Sequence, residues 1–262
     1  MNILDKIIKD KREEVASKKR VFPLSYLVTS PMLDRVSLSM SQSILKGSGI
    51  ISEFKRRSPS KQVINHRDSV IDVVTGYQNA GASGISVLTD TKYFGGSLDD
   101  LLQARDHLTI PLLRKEFIID PYQIYEAKAF GADTILLIAA VLSPEEVILL
   151  SQLAHQLNLE VLLEVHNEEE LRRSALDHVD LVGVNNRNLK TFEVSLDTSK
   201  ILSSMIPEGK VKISESGINS VESIETLKEF GYKGFLIGEN FMKTEEPGKS
   251  AATFISQLSY EN

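Results

Sequence analysis

The chain has 262 residues, of which 42% are hydrophobic and 25% are charged, a composition typical of a globular protein with a substantial core. Its formal net charge of -6 argues against a role in coating nucleic acid, but leaves room for a local basic pocket that holds a small anion. The absence of cysteine excludes disulfides, thiolate zinc sites and iron–sulfur clusters, and is compatible with the cytoplasm, where we expect the protein.

The N-terminal segment 1–20 carries apolar residues at helical spacing among lysines and glutamates. It lacks the apolar stretch of a signal peptide, and no segment is long and apolar enough to predict a transmembrane span. We expect a helix packed on the body of the protein. A helix lying on a membrane surface is the alternative, which the mixed charges and short apolar face disfavour. The Ser-rich stretch 21–46 is predicted to be a loop that leads to the core.

Eight short apolar runs follow at intervals of 21 to 35 residues, and each precedes a segment with helical apolar spacing. The runs begin near Ile50, Ile85, Pro111, Thr134, Glu160, Leu181, Lys210 and Gly234. Ser143-Pro144-Glu145-Glu146 predicts a capped helix start, and Gly81, Gly131 and Gly231 predict helix ends. Eight βα units of this length favour a single (β/α)8 TIM barrel over an open doubly wound sheet. The absence of the dinucleotide-binding glycine motif after the first strand disfavours the open sheet further.

Charged and polar side chains occupy the carboxyl ends of the predicted strands, which form the working face of a barrel. On the first strand, the period of two places Glu53 and Lys55 on the same side as Ile51. The same parity aligns Lys115 on strand three, Glu164 on strand five, Asn185 and Arg187 on strand six, and Glu215 on strand seven. Any one of them is most simply a solvated strand end or a member of a structural ion pair, but independent exposure would not favour one parity and one end on five strands. The pattern therefore predicts a shared polar site.

Two strand ends with glycine predict a phosphate-binding site. Ser216-Gly217 follows strand seven and Gly238-Glu239 follows strand eight, and glycine lets backbone N–H groups approach an anion closely. The alternative is that both glycines are only turn residues. Glu239 fits a phosphate site only if its carboxylate points away. The five histidines show no paired ligand spacing, so no metal site is expected, and His166 is expected to be a surface or internally satisfied histidine.

The chain resembles indole-3-glycerol phosphate synthases from its N-terminal helix to its last strand. The motifs that carry the resemblance are EFKRRSPS at 53–60, SVLTD at 86–90, YFGG at 93–96, LRKEF at 113–117, LEVH at 163–166, GVNNRNL at 183–189 and SESGI at 214–218. The resemblance implies one barrel domain over 1–262, with an N-terminal helical extension over 1–46, and no metal or cofactor. It also implies a small-molecule substrate, with neither nucleic acid nor a membrane as partner, and a monomer or weak homodimer.

The activity that the resemblance implies is closure of the indole ring of 1-(2-carboxyphenylamino)-1-deoxyribulose 5-phosphate, with loss of carbon dioxide and water, in tryptophan biosynthesis. By this similarity Lys115 protonates the ketone, Glu164 acts in the dehydration, and Lys55 and Glu53 support them. Asn185 orients the substrate and Glu215 holds a lysine or a sugar hydroxyl. The substrate- and phosphate-binding set is Ser58, Arg187, Ser216, Gly217, Gly238 and Glu239.

Three positions depart from the family pattern: Gln62 stands in place of a glycine, Glu116 in place of an aspartate, and Gly238-Glu239-Asn240 in place of a Gly-Ser ending. Gln62 is expected to stiffen the first βα loop. An isomerase acting on phosphoribosylanthranilate is an alternative activity, but it is expected to use a cysteine, which this chain lacks. A phosphate-binding barrel without catalysis is the alternative from another class, because a fold does not fix a function.

Overall fold

The computed structural model describes residues 3–189 and 191–258, so the first two residues of the predicted N-terminal helix lie outside it. Eight parallel strands pair in chain order and close into a barrel. They are β1 (Ile50–Phe54), β2 (Gly84–Leu88), β3 (Leu112–Lys115), β4 (Thr134–Ile138), β5 (Glu160–Val165), β6 (Leu181–Asn185), β7 (Val211–Glu215) and β8 (Gly234–Ile237). The predicted (β/α)8 barrel is confirmed, and each predicted strand start lies within one residue of the observed one.

Helices separate the strands and form the outer layer of the barrel. They are α1 (Ile3–Val21), α2 (Leu24–Leu27), α3 (Met40–Lys46), α4 (Val70–Asn79), α5 (Thr91–Phe94), α6 (Leu98–His107), α7 (Pro121–Ala129), α8 (Pro144–Gln156), α9 (Glu168–Arg173), α10 (Asp197–Ser203), α11 (Val221–Glu229), α12 (Glu239–Met242) and α13 (Pro247–Ser256). The predicted cap at the start of α8 is present, because the Glu146 N–H donates to the Ser143 hydroxyl at 3.2 Å. Gly81 has φ 90° just past the end of α4, as a helix-terminating glycine should.

Alternate strand residues face two different cores. One face packs against the surrounding helices, and the other fills the barrel interior. The interior aliphatic residues on strands are Ile51, Leu113, Leu136, Ile138, Leu162, Leu181, Val211, Ile213 and Leu236. The period of two therefore directs Glu53, Lys115, Glu164 and Glu215, each two residues after an interior residue, toward the barrel axis at its carboxyl end.

The extension that precedes β1 reaches both ends of the barrel. Helix α1 packs on the barrel as predicted, and its Ile7 side chain lines the cavity at the carboxyl ends of the strands. Helix α3 closes the opposite end, where Met40 and Ile44 join the interior core. A Cβ at Gly84, the first residue of β2, would lie 2.3 Å from the Met40 sulfur, so a larger residue here would force the buried Met40 side chain to move.

The prediction of a loop over 21–46 is wrong where α2 and α3 form. Helix α3 starts because the Ser39 hydroxyl accepts the N–H of Gln42, and it is held because Met40 and Ile44, four residues apart, are both buried. Seven residues span only two turns, which is too short for a helical period to stand out in the sequence. No helix among the described residues is long and apolar enough to cross a membrane.

Candidate active site

A cavity of about 310 Å³ opens at the carboxyl ends of the strands. All twelve residues predicted for the site line it: Glu53, Lys55, Ser58, Lys115, Glu164, Asn185, Arg187, Glu215, Ser216, Gly217, Gly238 and Glu239. They come from β1, β3, β5, β6, β7 and β8 or from the loops that follow these strands. The fold thus brings together residues up to 186 positions apart in the chain, while the role of each one stays a prediction.

Lys115 forms the ionic centre of the cavity. Its ammonium donates to Glu164 Oε2 at 3.0 Å and makes a second hydrogen bond to Glu215 Oε2. Burial disfavours the charged form, but the carboxylates of Glu164, Glu215 and Glu53 outweigh it and raise the pKa of Lys115 above its ordinary value. The side chain is therefore an ammonium at neutral pH, aimed into the cavity with protons to donate.

The two carboxylates that share this ammonium differ in their protonation. Burial would raise the pKa of Glu164, but the Lys115 ammonium and His166 outweigh it and hold that pKa well below its usual range. Burial raises the pKa of Glu215 to about 7, with Glu164 and Glu53 adding to the rise and Lys115 opposing it. At neutral pH Glu164 is an ionised acceptor, while Glu215 is close to its midpoint.

Two glycines make room for the carboxylates. An added Cβ at Gly183 on β6 would lie 2.3 Å from Glu215 Oε1, on the neighbouring strand. An added Cβ at Gly238, just after β8, would lie 2.4 Å from Glu53 Oε1. Gly238 was predicted only as part of a phosphate cradle, and the structure gives it this second task. Substitution at either glycine would displace a carboxylate that faces the cavity.

The strand β1 ends in an ion pair that leads into the first βα loop. Lys55 Nζ lies 2.5 Å from Glu53 Oε1. The loop then turns tightly at Ser58 and Lys61, whose backbone N–H and C=O groups bond to each other in both directions, at 2.8 and 3.0 Å. Lys61 reaches the segment that follows the neighbouring strand β8 and pairs with Glu239 at 3.0 Å. The loop is therefore tied to the adjacent strand end of the barrel.

The segment predicted to bind phosphate lies after β7 and β8. Ser216 and Gly217 have φ 68° and 77°, and a non-glycine residue in this left-handed region is uncommon and concentrated at functional sites. The Glu239 carboxylate is turned toward Lys61. Burial would raise the pKa of Glu239, but Lys61, with help from Lys55 and Arg187, lowers it. The neighbourhood is therefore positively charged, as an anion site requires.

Part of the remaining wall of the cavity is apolar, which the sequence patterns did not predict. Phe94 and Phe117 contact each other with ring centroids 5.9 Å apart and line the cavity with Leu88. Helix α1 adds Leu4 and Ile7 from above. Phe94 and Phe117 both fall within the family motifs, yet nothing in their spacing indicates that two loops bring them together. Such an apolar, partly aromatic wall is suited to packing against an apolar group.

A second ionic cluster, also missed by the sequence analysis, fixes α1 beside the cavity. The Lys11 side chain is 1% exposed, and its ammonium lies 3.0 Å from carboxylate oxygens of both Asp90 and Glu116. These carboxylates and that of Glu14 outweigh burial and raise the pKa of Lys11. A signal was present, since Lys11 lies four residues from Ile7 and Val15, on the apolar face of the helix. Glu116, which stands in place of an aspartate of the family pattern, is thus a buried ion-pair partner.

His166 lies directly behind Glu164. Its side chain is 7% exposed, so the alternative that it is a surface histidine is wrong. Nε2 lies 3.3 Å from Glu164 Oε1, and Nδ1 lies 3.1 Å from Glu170 Oε2 on α9. Burial would lower the pKa of His166, but hydrogen bonding and charge from the two carboxylates raise it to about 10. The ring is therefore a cation at neutral pH.

The family model for indole-3-glycerol phosphate synthase matches residues 4–254 of the chain. The chain belongs to the indole-3-glycerol phosphate synthase family. A family relative, the indole-3-glycerol phosphate synthase of Bacteroides thetaiotaomicron, is 45% identical over 258 residues, which cover 98% of this chain and 99% of the relative. Membership makes the chain an enzyme of tryptophan biosynthesis, a carboxy-lyase.

Solved structures outside the family share the barrel. A mutant tryptophan synthase alpha-subunit from Pyrococcus furiosus superposes with a TM-score of 0.61 and 16% identity, covering 81% of this chain and 98% of its own. A thiamine phosphate pyrophosphorylase from the same organism gives a TM-score of 0.57 at 13% identity, covering 79% and 95%. At these identities the likeness indicates the fold alone.

Proposed function

We propose that the cavity closes the indole ring of 1-(2-carboxyphenylamino)-1-deoxyribulose 5-phosphate through the two ends of the Lys115–Glu164 ion pair. The observation that carries the proposal is the geometry of that pair: an ammonium and an ionised carboxylate 3.0 Å apart, in a cavity with an apolar wall. Family membership indicates the reaction. The Lys115 ammonium is the acid and the Glu164 carboxylate is the base, because their surroundings stabilise these two charged forms.

The first half of the reaction requires an acid. The ring carbon that bears the substrate carboxylate attacks the ketone, and negative charge develops on the ketone oxygen. Lys115 donates a proton to that oxygen, since its pKa is raised and its ammonium is held in the cavity by Glu164 and Glu215. Carbon dioxide then leaves with its bonding electrons returned to the ring. The Lys55 ammonium, held at 2.5 Å by Glu53, stabilises the carboxylate until that step.

The second half requires a base. Loss of water removes a proton from the substrate and releases the hydroxyl that Lys115 created. Glu164 accepts the proton, because its lowered pKa leaves it ionised across the neutral range. Lys55, the second ammonium that we assign to this step, supplies a proton to the departing hydroxyl. Asn185 orients a substrate hydroxyl or carboxylate, and its Oδ1 already accepts the Arg187 N–H at 3.0 Å.

The two ends of the substrate are placed by opposite kinds of surface. The aromatic ring packs against Phe94, Phe117 and the apolar residues of α1. The phosphate lies at the backbone N–H groups of Ser216, Gly217, Gly238 and Glu239, with Ser58 and Arg187 at the rim. Support for this end comes from the left-handed backbone at Ser216 and Gly217 and from the basic side chains around Glu239.

The proposal is tested with Lys115→Met, which keeps the length and volume of the side chain and removes its proton. We expect kcat to fall by about 10²- to 10⁴-fold, the contribution of a general acid, when formation of the indole product is followed by fluorescence. Glu164→Gln is expected to fall by a similar factor. Lys249→Met on α13, whose side chain is 78% exposed, is the matched control and is expected to keep full activity.

Retained turnover in a folded Lys115→Met protein would show that the acid is misassigned. Tight binding of a reduced substrate analogue by the unmodified protein, with no conversion of the substrate itself, would contradict the proposed chemistry and favour a binding barrel. Circular dichroism and thermal unfolding of each variant separate loss of chemistry from loss of fold.

A further inference from the structure

Glu164 and Glu215 share one ammonium, yet only one of them can serve as the base. Each offers one oxygen to Lys115, so the difference lies at their second oxygens. Glu215 Oε1 is buried and has no hydrogen-bond partner in the described part of the chain. Glu164 Oε1 lies 3.3 Å from His166 Nε2. The second cation therefore acts on Glu164 alone.

The imidazole of His166 is fixed from its other side. Glu170 Oε2 lies 3.1 Å from Nδ1 and also accepts the backbone N–H of His166 at 2.8 Å. The other oxygen of Glu170 accepts the Asn167 amide at 2.8 Å. Nδ1 is hydrogen-bonded to Glu170, whereas Nε2 lies within ion-pair distance of Glu164 Oε1 but makes no hydrogen bond to any residue that the structure describes. A buried ring between two carboxylates is stabilised in its cationic form by their charge.

We propose that His166 is a positioning residue, an imidazolium that keeps Glu164 ionised and oriented toward Lys115, so that Glu215 rather than Glu164 carries the proton when the two carboxylates compete for one. The proposal rests on the proposed function of Glu164 as the base. It assigns a role to His166, which lies behind Glu164 and does not line the cavity. This residue, and not one in the cavity, would determine which of the two carboxylates is protonated.

The charges at this centre explain why a second cation matters. One ammonium between two buried carboxylates leaves an excess negative charge, and a buried site relieves such an excess by protonating one acid. The titratable groups that face His166 are Glu164 from β5 and Glu170 from α9, with Lys115 from β3 beyond Glu164. The opposite directions of the pKa shifts at Glu164 and Glu215 agree with this assignment.

A purely structural histidine would behave differently. If His166 served only to dock α9 through Glu170, its replacement would lower stability and reduce activity by the same factor at every pH. If it sets the charge of Glu164, its replacement lets the pKa of that carboxylate rise toward neutrality, and activity is lost mainly at acidic pH. The pH dependence of the loss therefore separates the two roles.

The first test leaves the sequence unchanged. Nitrogen-15 NMR of histidine-labelled protein distinguishes imidazolium from the neutral ring, and a His166→Gln spectrum assigns the signal. We expect His166 to remain cationic at pH 8, where a histidine of ordinary pKa is neutral. A neutral His166 ring at pH 7 would overturn the proposal whatever the variants do.

The second test compares kcat/KM of His166→Gln with that of the unmodified enzyme from pH 5.5 to 9, so that ionisation of the substrate phosphate cancels in the ratio. The loss of kcat/KM is expected to be about tenfold greater at pH 6 than at pH 8.5. A tenfold loss at pH 6 corresponds to a Glu164 pKa that has risen to about one unit above that pH. Glu170→Gln removes the charge and keeps one acceptor oxygen for the His166 ring, at the cost of the bond from the Asn167 amide, and is expected to change the profile in the same direction by less. His155→Gln removes a comparable but exposed pair, 2.9 Å from Asp180, and is the control with an unchanged profile.

A ratio that stays flat with pH in folded His166→Gln protein would refute the inference. That failure is distinct from failure of the proposed function, which is decided by Lys115→Met and Glu164→Gln. If those two variants lose turnover while the ratio of kcat/KM between His166→Gln and the unmodified enzyme does not change with pH, the acid and the base are supported and only the role of His166 is refuted.

Discussion

Replacing Glu215 by glutamine is expected to change the pH dependence of stability in a defined direction. The carboxyl is 1% exposed, and burial raises its pKa from 4.5 to about 7 in the folded protein. A group whose pKa is raised on folding contributes stability that is complete below its unfolded value and is lost as the pH rises through its folded value. The unmodified protein should therefore lose stability between these two pH values, because Glu215 ionises in the unfolded chain while it stays protonated in the folded protein.

The size of the effect follows from the shift. Each unit of pKa difference corresponds to about 1.4 kcal/mol, so ionising Glu215 costs the folded state of the order of 3 kcal/mol between pH 4.5 and pH 7.5. The glutamine variant has no such cost, because its amide stays neutral and still accepts a hydrogen bond from Lys115. Its stability relative to the unmodified protein should rise with pH by that amount, with a slope of at most about 1.4 kcal/mol per pH unit.

Urea unfolding at half-unit steps from pH 4.5 to 8 measures the difference, with coincident fluorescence and circular dichroism transitions as the check on two-state behaviour. Glu225→Gln is the matched control, since that carboxylate is 45% exposed and pairs with Lys228 on the surface. Parallel stability curves for Glu215→Gln and the unmodified protein would refute the reasoning, as would a relative gain for the unmodified protein at higher pH.

The other two predictions concern the clusters on either side of the cavity. Lys11→Met leaves Asp90 and Glu116 without their shared cation. We expect the free energy of unfolding in urea to fall by about 3–5 kcal/mol and KM to rise. An unchanged KM would contradict the placement of α1 over the cavity. Gly238→Ala drives a methyl group against the Glu53 carboxylate, so we expect kcat to fall by at least about tenfold with near-normal thermal unfolding; full activity would show that this carboxylate tolerates displacement.

The barrel was predictable from the sequence because its strands are buried on both faces. Such strands read as uninterrupted apolar runs, and the runs at Thr134 and Glu160 begin where β4 and β5 begin. The inward parity of the polar strand ends was predictable for the same reason, since a period of two fixes the side of Lys115 once Leu113 is interior. These features depend on short stretches of chain, which a sequence displays directly.

What the sequence did not reveal depends on distant partners. Lys11 is buried only because Asp90 and Glu116 lie opposite it. The sequence of α1 does not indicate which residues those partners are. The sequence does not distinguish a surface His166 from an internally satisfied one, because its pairing with Glu170 depends on how α9 leaves β5. Helix α3 was missed because two turns do not establish a period, although Ser39 and the spacing of Met40 and Ile44 were visible. In each case the missing information was tertiary.

On the proposed assignment, the N-terminal extension contacts the aryl group of the substrate, while the eight βα units supply the acid and the base. Leu4 and Ile7, which line the cavity, belong to α1 and lie outside those units. Substitutions at these two positions can change the shape of the apolar wall that α1 contributes to the cavity, without changing the distances between the charged side chains on the strands. A mutant library confined to them is therefore a direct route to barrels that accept bulkier anilines with the same ring-forming chemistry.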